Sequence, residues 1–143
     1  MKFRNKLLVI LGGAAMAAGQ SPSPGPAASK AIVTNLDTAK WAQEKGDSSS
    51  VMLHEDATTG GMDLLVRFPA GHVIAPHWHD SNERIIVLEG QLTLRQDNGD
   101  AVLNLGGFAF LPAHEVQRLS CTSKTRCTFY LAWDGKPASH AAK

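Results

Sequence analysis

The sequence carries no surplus of charge of either sign. Its 14 lysines and arginines stand against 13 aspartates and glutamates, which gives a formal net charge of +1 at pH 7. Proteins that bind nucleic acid or an anionic membrane by electrostatic attraction need a basic patch, and a balanced chain offers little basis for one. We therefore expect no nucleic-acid partner.

Two catalytic motifs are missing as well. The sequence has no phosphate-binding loop of the GxxxxGK type and no nucleophile elbow with an ordered Ser, His and Asp. Their absence argues against nucleotide chemistry and acyl transfer. The apolar run at residues 7–18 has about a dozen residues, fewer than the roughly 20 that a membrane-spanning helix needs.

That apolar run is typical of a secretory signal peptide. Lys2, Arg4 and Lys6 precede it, and residues 15–17, Ala-Met-Ala, offer a cleavage site of small residues. We predict a signal peptide over residues 1–19 and an exported protein, periplasmic or secreted, with no stable membrane insertion. Loss of three basic residues would leave 11 basic against 13 acidic residues, a net charge of −2.

The rest of the chain predicts one domain between two flexible segments. Residues 20–30 are rich in proline, serine and alanine, which favours a flexible linker. Residues 31–135 are long enough for one domain of ordinary size. Residues 136–143 are predicted to form a loose tail in which His140 is solvated.

The start of the predicted domain, residues 35–46, has two interpretations. Asp37 could cap a short helix that ends at Gly46, with Trp41 covering one end of the fold. Alternatively, the segment is a lead-in arm that crosses a sheet or exchanges with a partner subunit.

Short apolar runs separated by turn signals fill the rest of this domain. Many short runs without a long helical pattern predict an all-β sandwich or barrel. The predicted strands are residues 51–54, 62–68, 77–79, 84–88, 91–95, 101–105, 108–111, 115–121 and 127–133.

Cysteine is scarce, with Cys121 and Cys127 as the only two. They flank a polar connection between the last two predicted strands. Because an even cysteine count in an exported protein favours pairing, we predict a structural disulfide rather than two reduced thiols.

The stretch from residue 71 to residue 90 predicts a metal site. His77 and His79 are two residues apart, so on a strand their side chains point the same way. A polar turn at residues 80–82 can bring Glu83 back beside the two imidazoles. These three side chains are candidate metal ligands, and Glu83 is also a candidate catalytic group.

The same stretch resembles the first motif of the cupin family. Gly71, His77, His79, Glu83 and Gly90 stand at the spacing of that motif. The resemblance implies a single-domain, RmlC-like jelly-roll barrel, also called a double-stranded β-helix. It also implies that the two histidines and the glutamate hold a divalent metal inside the barrel.

A second cupin motif follows, with two departures from the family pattern. Gly106 and Pro112 fit it, but His114 replaces a glycine and Gln117 replaces the last histidine ligand. Gln117 could bind the metal through its amide oxygen, or hydrogen-bond a water on a three-ligand metal. His114 is a weaker substitute, since an odd number of positions separates it from Gln117.

Two histidines and one carboxylate with open positions are the arrangement of non-haem Fe(II) oxygenases, although Mn, Ni, Co or Zn suits the same donors. We predict a metal-dependent protein that takes a small organic ligand or substrate in the barrel. An oxygen-dependent enzyme, a metal-dependent isomerase or lyase, and a non-catalytic binding or sensing module all remain open.

Three further residues are expected in or near this pocket. Glu115 shares the strand phase of Gln117 and is a candidate general base. His72 is expected at the rim, and His54 is a weak pocket candidate.

Residues 85–88, Ile-Ile-Val-Leu, are apolar on both faces of one predicted strand. A strand of that kind is buried on both sides. We therefore predict a homodimer formed through an outer sheet face.

Overall fold

A computed structural model describes residues 30–142, and its compact unit begins at Ile32. The predicted signal peptide, residues 1–19, and nearly all of the predicted linker, residues 20–30, lie outside the described residues. Between residues 30 and 142, no helix is long and apolar enough to cross a membrane.

The described chain is almost entirely β structure, which confirms the predicted all-β class. It forms eleven strands and one short 3-10 turn at Lys45–Asp47. The strands are β1 (Ala42–Gln43), β2 (Ser49–Glu55), β3 (Met62–Phe68), β4 (His77–His79), β5 (Glu83–Glu89), β6 (Leu92–Gln96), β7 (Gly99–Leu103), β8 (Phe108–Leu111), β9 (Arg118–Cys121), β10 (Cys127–Trp133) and β11 (Ser139–Ala141).

The strands form two layers. One is a sheet in the order β1-β2-β3-β10-β5-β8, and every pair of neighbours in it is antiparallel. The other combines β7-β6-β9 with the pair β11-β4. Isolated bridges between His77 and Gln117 and between Val73 and Ser120 join these two groups. Strand β4, which carries the candidate ligands His77 and His79, therefore lies between β11 and the residues that lead into β9.

The core lies between the layers because alternate residues of each strand point inward. On β5, Ile85 and Val87 are fully buried, whereas Ile86 is partly exposed. Phe129 from β10 and Leu92 from β6 are likewise buried. This alternation shows that the apolar run at residues 85–88 faces the core through only half of its side chains.

The outer face of the six-stranded sheet nevertheless carries large apolar side chains. Phe108 and Phe110 on β8 are 57% and 48% exposed. Phe108 pairs with Ile86, and the guanidinium of Arg84 lies 5.5 Å from the ring centre of Phe110. The homodimer predicted from the apolar run of β5 stays a prediction.

The predicted disulfide between Cys121 and Cys127 is present. Its Cα atoms are 5.8 Å apart, and the bridge joins the end of β9 to the start of β10. Both cysteines are buried in the core cluster.

The helix considered for residues 35–46 is wrong, and the lead-in arm describes the segment better. A turn at residues 36–38 is followed by β1, which pairs with β2. The ring of Trp41 lies against the Arg67 guanidinium, 3.7 Å from its carbon to the ring centre. This cation–π contact holds the arm against the outside of the sheet.

The loose tail predicted for residues 136–143 is also wrong as far as the structure describes it, because β11 pairs antiparallel with β4. His140 lies within β11 rather than in a loose tail, with its side chain 42% exposed. Its ring stacks on Trp78 at 3.9 Å between centroids and 15° between planes, and its Nε2 lies 3.1 Å from Asp80. Without β11, the outer edge of β4 would have unpaired backbone groups, which gives the segment a reason to order.

Candidate metal centre

Four polar side chains meet at one end of a partly open cavity. His77 and His79 enter it from β4, and Glu83 enters it as the first residue of β5. Gln117 comes from the segment before β9, which exchanges two backbone hydrogen bonds with His77 at 3.0 and 2.8 Å. Trp78, between the histidines, points away and stacks on His140. His77 and His79 therefore point to the same side of β4, as strand alternation predicts.

The two imidazoles are oriented by backbone carbonyls. Nδ1 of His77 lies 2.8 Å from the Ala75 oxygen, and Nδ1 of His79 lies 3.2 Å from the Ala138 oxygen. A carbonyl only accepts, so each Nδ1 must carry a proton. In the neutral rings, both Nε2 atoms then keep a free lone pair, which is the form that ligates metals.

Glu83 is the ionisable group that burial affects most clearly. Its side chain is 6% exposed, and burial raises its pKa to about 7, although hydrogen bonding from Gln117 and proximity of the Trp133 indole oppose the rise. Burial also lowers the pKa of His79, with His77 acting in the same direction. The Oε2 atom of Glu83 lies 3.4 Å from Nε2 of His79.

Gln117 turns its amide group toward Glu83 and is 3% exposed. Its Nε2 donates to Oε2 of Glu83 at 2.6 Å. Its Oε1 is buried without a hydrogen-bond partner. The indole nitrogen of Trp133 is also buried without a partner, because its position near Glu83 gives no hydrogen bond of normal geometry. A buried acceptor without a partner costs free energy, so the amide oxygen is available to a cation or to a donor.

The donors do not form a complete metal cage. Among residues 30–142, no group of three or more His, Cys, Asp or Glu side chains is arranged to hold a metal ion. The amide of Gln117 holds the carboxyl of Glu83 by a hydrogen bond. A histidine at that position would add a nitrogen donor.

The cavity beyond this polar end is apolar. Its volume is about 240 Å³. Its walls come from β3, β9 and β10 and from the segment before β4. The apolar lining consists of Val66, Phe68, Ile74, Leu119, Phe129, Leu131 and Trp133.

Glu115, expected as a general base, does not reach the cavity. Its Oε1 accepts a hydrogen bond from the Gln96 amide at 2.6 Å, and it does not line the cavity. Strand alternation does not place Glu115 beside Gln117, because the regular strand β9 begins only at Arg118. His54 is wrong as a pocket candidate too, since it lies on the surface with Nδ1 3.2 Å from Asp63. His72 lies in a loop against Phe68.

The backbone conformation at His114 shows how this histidine takes the place of a glycine in the cupin pattern. Gly71, Gly90 and Gly106 have positive φ angles of 77°, 78° and 77°, and His114 keeps the same left-handed backbone at φ 67° in place of a glycine. A side chain there costs roughly 1–2 kcal/mol. The ring of His114 packs on Trp78, with centroids 5.1 Å apart, outside the cavity and away from the candidate ligands.

Sequence reasoning missed the contribution of the carboxyl-terminal segment. Ser139 lines the cavity, and the carbonyl of Ala138 accepts from His79. Neither residue type carries a local signal for such a role, because the contact depends on the pairing of β11 with β4. Trp133 shares its strand phase with Leu131 and Phe129, so its position in the lining follows from β10 alone.

The family follows from a match along most of the chain. Residues 29–134 match the sequence model of the ChrR cupin-like domain. The chain belongs to this cupin family. The cupin resemblance is thereby confirmed, while β11 of this ChrR cupin-like chain lies beyond the matched residues. No curated protein matches the chain significantly.

Several solved structures share the fold. The polyketide cyclase RemF from Streptomyces resistomycificus is 18% identical, with a TM-score of 0.66 over 80% of this chain and 87% of that one. KdgF from Halomonas sp. is 18% identical, with a TM-score of 0.59 over 69% and 91%. A chain from the Rhodobacter sphaeroides complex of SigE with the anti-sigma ChrR is 18% identical, with a TM-score of 0.58 over 70% and 52%. At these identities the likeness shows the fold alone.

Proposed function

We propose that this ChrR cupin-like protein binds a divalent transition metal at the polar end of its cavity and presents it to a small organic molecule. The Nε2 atoms of His77 and His79 and the carboxylate of Glu83 would be the ligands. Gln117 would contribute its amide oxygen to the metal or to a water molecule on it.

The observation that carries this proposal is the orientation of the two histidines. Both Nδ1 atoms are bound to backbone carbonyls, and both rings line the same cavity with their centroids 4.9 Å apart. Ligating histidines are held in this way in metal sites. The buried carboxyl of Glu83 and the unpartnered oxygen of Gln117 supply the negative and polar groups that a cation needs.

The donor set accommodates Fe, Mn, Ni, Co or Zn, since imidazole and carboxylate suit all five. A bound metal of this kind would polarise an oxygen of the small molecule or, in the case of Fe, support oxygen chemistry. Glu83 must lose its proton to act as a ligand, because metal ligands bind in the deprotonated form. Ser139 and the apolar walls would position the molecule beside the ligands.

A non-catalytic binding or sensing module is the second candidate. The observation in its favour is Gln117, whose hydrogen bond occupies an oxygen of Glu83. An amide in place of a third imidazole should lower metal affinity. Export of the mature protein to a periplasm or to the cell exterior belongs to the proposal in either case.

Cobalt titration tests the site. Chelator-treated protein is titrated with Co²⁺, and the visible absorption of the bound ion is recorded for wild type, His77→Ala and His54→Ala. His54 is the matched control because it is a surface histidine outside the cavity. We expect one bound equivalent in wild type and His54→Ala and a loss of at least tenfold in affinity in His77→Ala. Equal affinities in all three would refute the assigned ligands.

A second experiment distinguishes an enzyme from a non-catalytic binding or sensing module. Metal-loaded protein is tested for consumption of dioxygen and for isomerase and lyase activity on small organic compounds. Turnover that disappears in Glu83→Ala supports the enzyme. Tight, reversible ligand binding without turnover supports the sensing module.

A further inference from the structure

The candidate ligands occupy only one end of the cavity, and the rest of its wall can form almost no hydrogen bonds. The polar lining consists of His77, His79, Glu83, Gln117 and Ser139. The remaining lining residues are aliphatic or aromatic, apart from the indole N–H of Trp133. A molecule that enters therefore meets polar groups at one end and apolar surface elsewhere.

The cavity also lacks fixed positive charge. Within the described part of the chain, no lysine or arginine lines it. Arg84 and Arg95 pair with Asp134 and Asp100 at the surface. A ligand with several anionic groups would be desolvated without counter-charges beyond the polar end, which is unfavourable.

The size of the cavity indicates how large a molecule it can enclose. Its volume of about 240 Å³ exceeds the roughly 150 Å³ of an apolar cavity that admits benzene. A benzene ring with one or two small substituents fits, or a branched aliphatic molecule of the same bulk. Larger compounds would need part of their structure to remain in the opening.

We propose that the ligand is a small, largely apolar molecule, about as large as a substituted benzene, with a single oxygen donor that meets the polar end. This inference rests on the proposed function for the metal that anchors the oxygen. The apolar selectivity arises from the wall itself, in particular from Phe68, Phe129 and Leu131.

The wall discriminates against sugars and other polyhydroxylated compounds. Each hydroxyl buried against Leu119, Leu131 or Phe129 loses its bonds to water and gains none. One such unpaired group weakens binding by about tenfold. A sugar acid of similar bulk carries several hydroxyls, so it should bind far more weakly than an aromatic alcohol.

Calorimetric titration of two probes tests this selectivity. The probes are 4-methylphenol, which has an apolar body and one oxygen, and galacturonate, which has several hydroxyls. Both are titrated into the Co²⁺-loaded and the chelator-treated full chain. We expect 4-methylphenol to bind the loaded chain at least tenfold more tightly than galacturonate. Equal or tighter binding of galacturonate would overturn the inference.

A pair of matched substitutions locates the binding. Val66→Phe fills the cavity from β3, whereas Val102→Phe adds the same ring at a position of β7 that is 54% exposed. Circular dichroism checks that both fold. Val66→Phe should lower the affinity for 4-methylphenol by at least tenfold, and Val102→Phe should lower it by less than twofold. If Val66→Phe does not fold, the comparison of the two probes on wild type still decides.

The binding data distinguish a failure of the proposed metal site from a failure of the proposed apolar selectivity. If the chain takes up no metal, chelator-treated protein should still bind 4-methylphenol weakly, and Val66→Phe should abolish that binding. If neither form binds 4-methylphenol, or if Val66→Phe folds and binds it unchanged, the inference is wrong.

Discussion

The buried carboxyl of Glu83 should make the metal-free protein lose stability as the pH rises. Burial raises the pKa of Glu83 from 4.5 to about 7 in the folded chain. Between these values the folded state holds a proton that the unfolded state has released. Since stability rises with pH only where the unfolded state binds more protons, it falls here, through the window from about pH 4.5 to 7.

The size of the effect follows from the two pKa values. A shift from 4.5 to about 7 corresponds to a limit of about 3 kcal/mol, at roughly 1.4 kcal/mol per unit. Between pH 5 and pH 8 most of this range is crossed, so the expected loss is about 2 to 3 kcal/mol. Glu83→Gln has no proton to lose and should not show it.

Urea unfolding of chelator-treated protein at pH 5 and pH 8 provides the assay, with the disulfide kept intact. His79 acts in the opposite direction, because burial lowers its pKa and its contribution is lost as the pH falls below about 6.5. The difference between wild type and Glu83→Gln therefore isolates Glu83. If that difference is the same at both pH values, Glu83 is not desolvated and the description of the site is wrong.

Three further outcomes are expected. Gln117→His should raise Co²⁺ affinity by at least tenfold in chelator competition, because it adds an imidazole; weaker binding would mean that the amide is itself a required ligand. Truncation after Pro137, which removes Ala138 together with β11, should lower that affinity by about 10- to 100-fold, since the carbonyl that orients His79 is lost; unchanged affinity would exclude this role. Replacing Cys121 and Cys127 by alanine should lower the free energy of unfolding by about 2 kcal/mol in urea, the value for so short a loop; an equally stable variant would contradict that estimate.

Most of the strands could be predicted because their signals are local. The bounds of β3, β4, β8 and β10 agree with the predicted strands, and alternation along β4 placed His77 and His79 on one face. Turn residues mark where such strands end, and period 2 fixes which side chains share a face. These features depend on neighbours in sequence, so the sequence alone contains them.

The remaining features depend on contacts between distant residues. The pairing of β11 with β4 joins positions about 60 residues apart, and no motif near Ser139 indicates it. Glu115 was misplaced because the regular strand begins at Arg118 rather than at residue 115. The family pattern has a glycine at the position of His114, but the histidine itself gives no local signal for the left-handed backbone found there.

The central claim, that the cavity holds a metal, is tested most directly by elemental mass spectrometry. The protein is purified without chelators or metal-affinity resin, beside Glu83→Ala. We expect near-stoichiometric Fe, Mn, Ni, Co or Zn in wild type and its loss in the variant. Metal at background level in wild type, even after reconstitution, would contradict it.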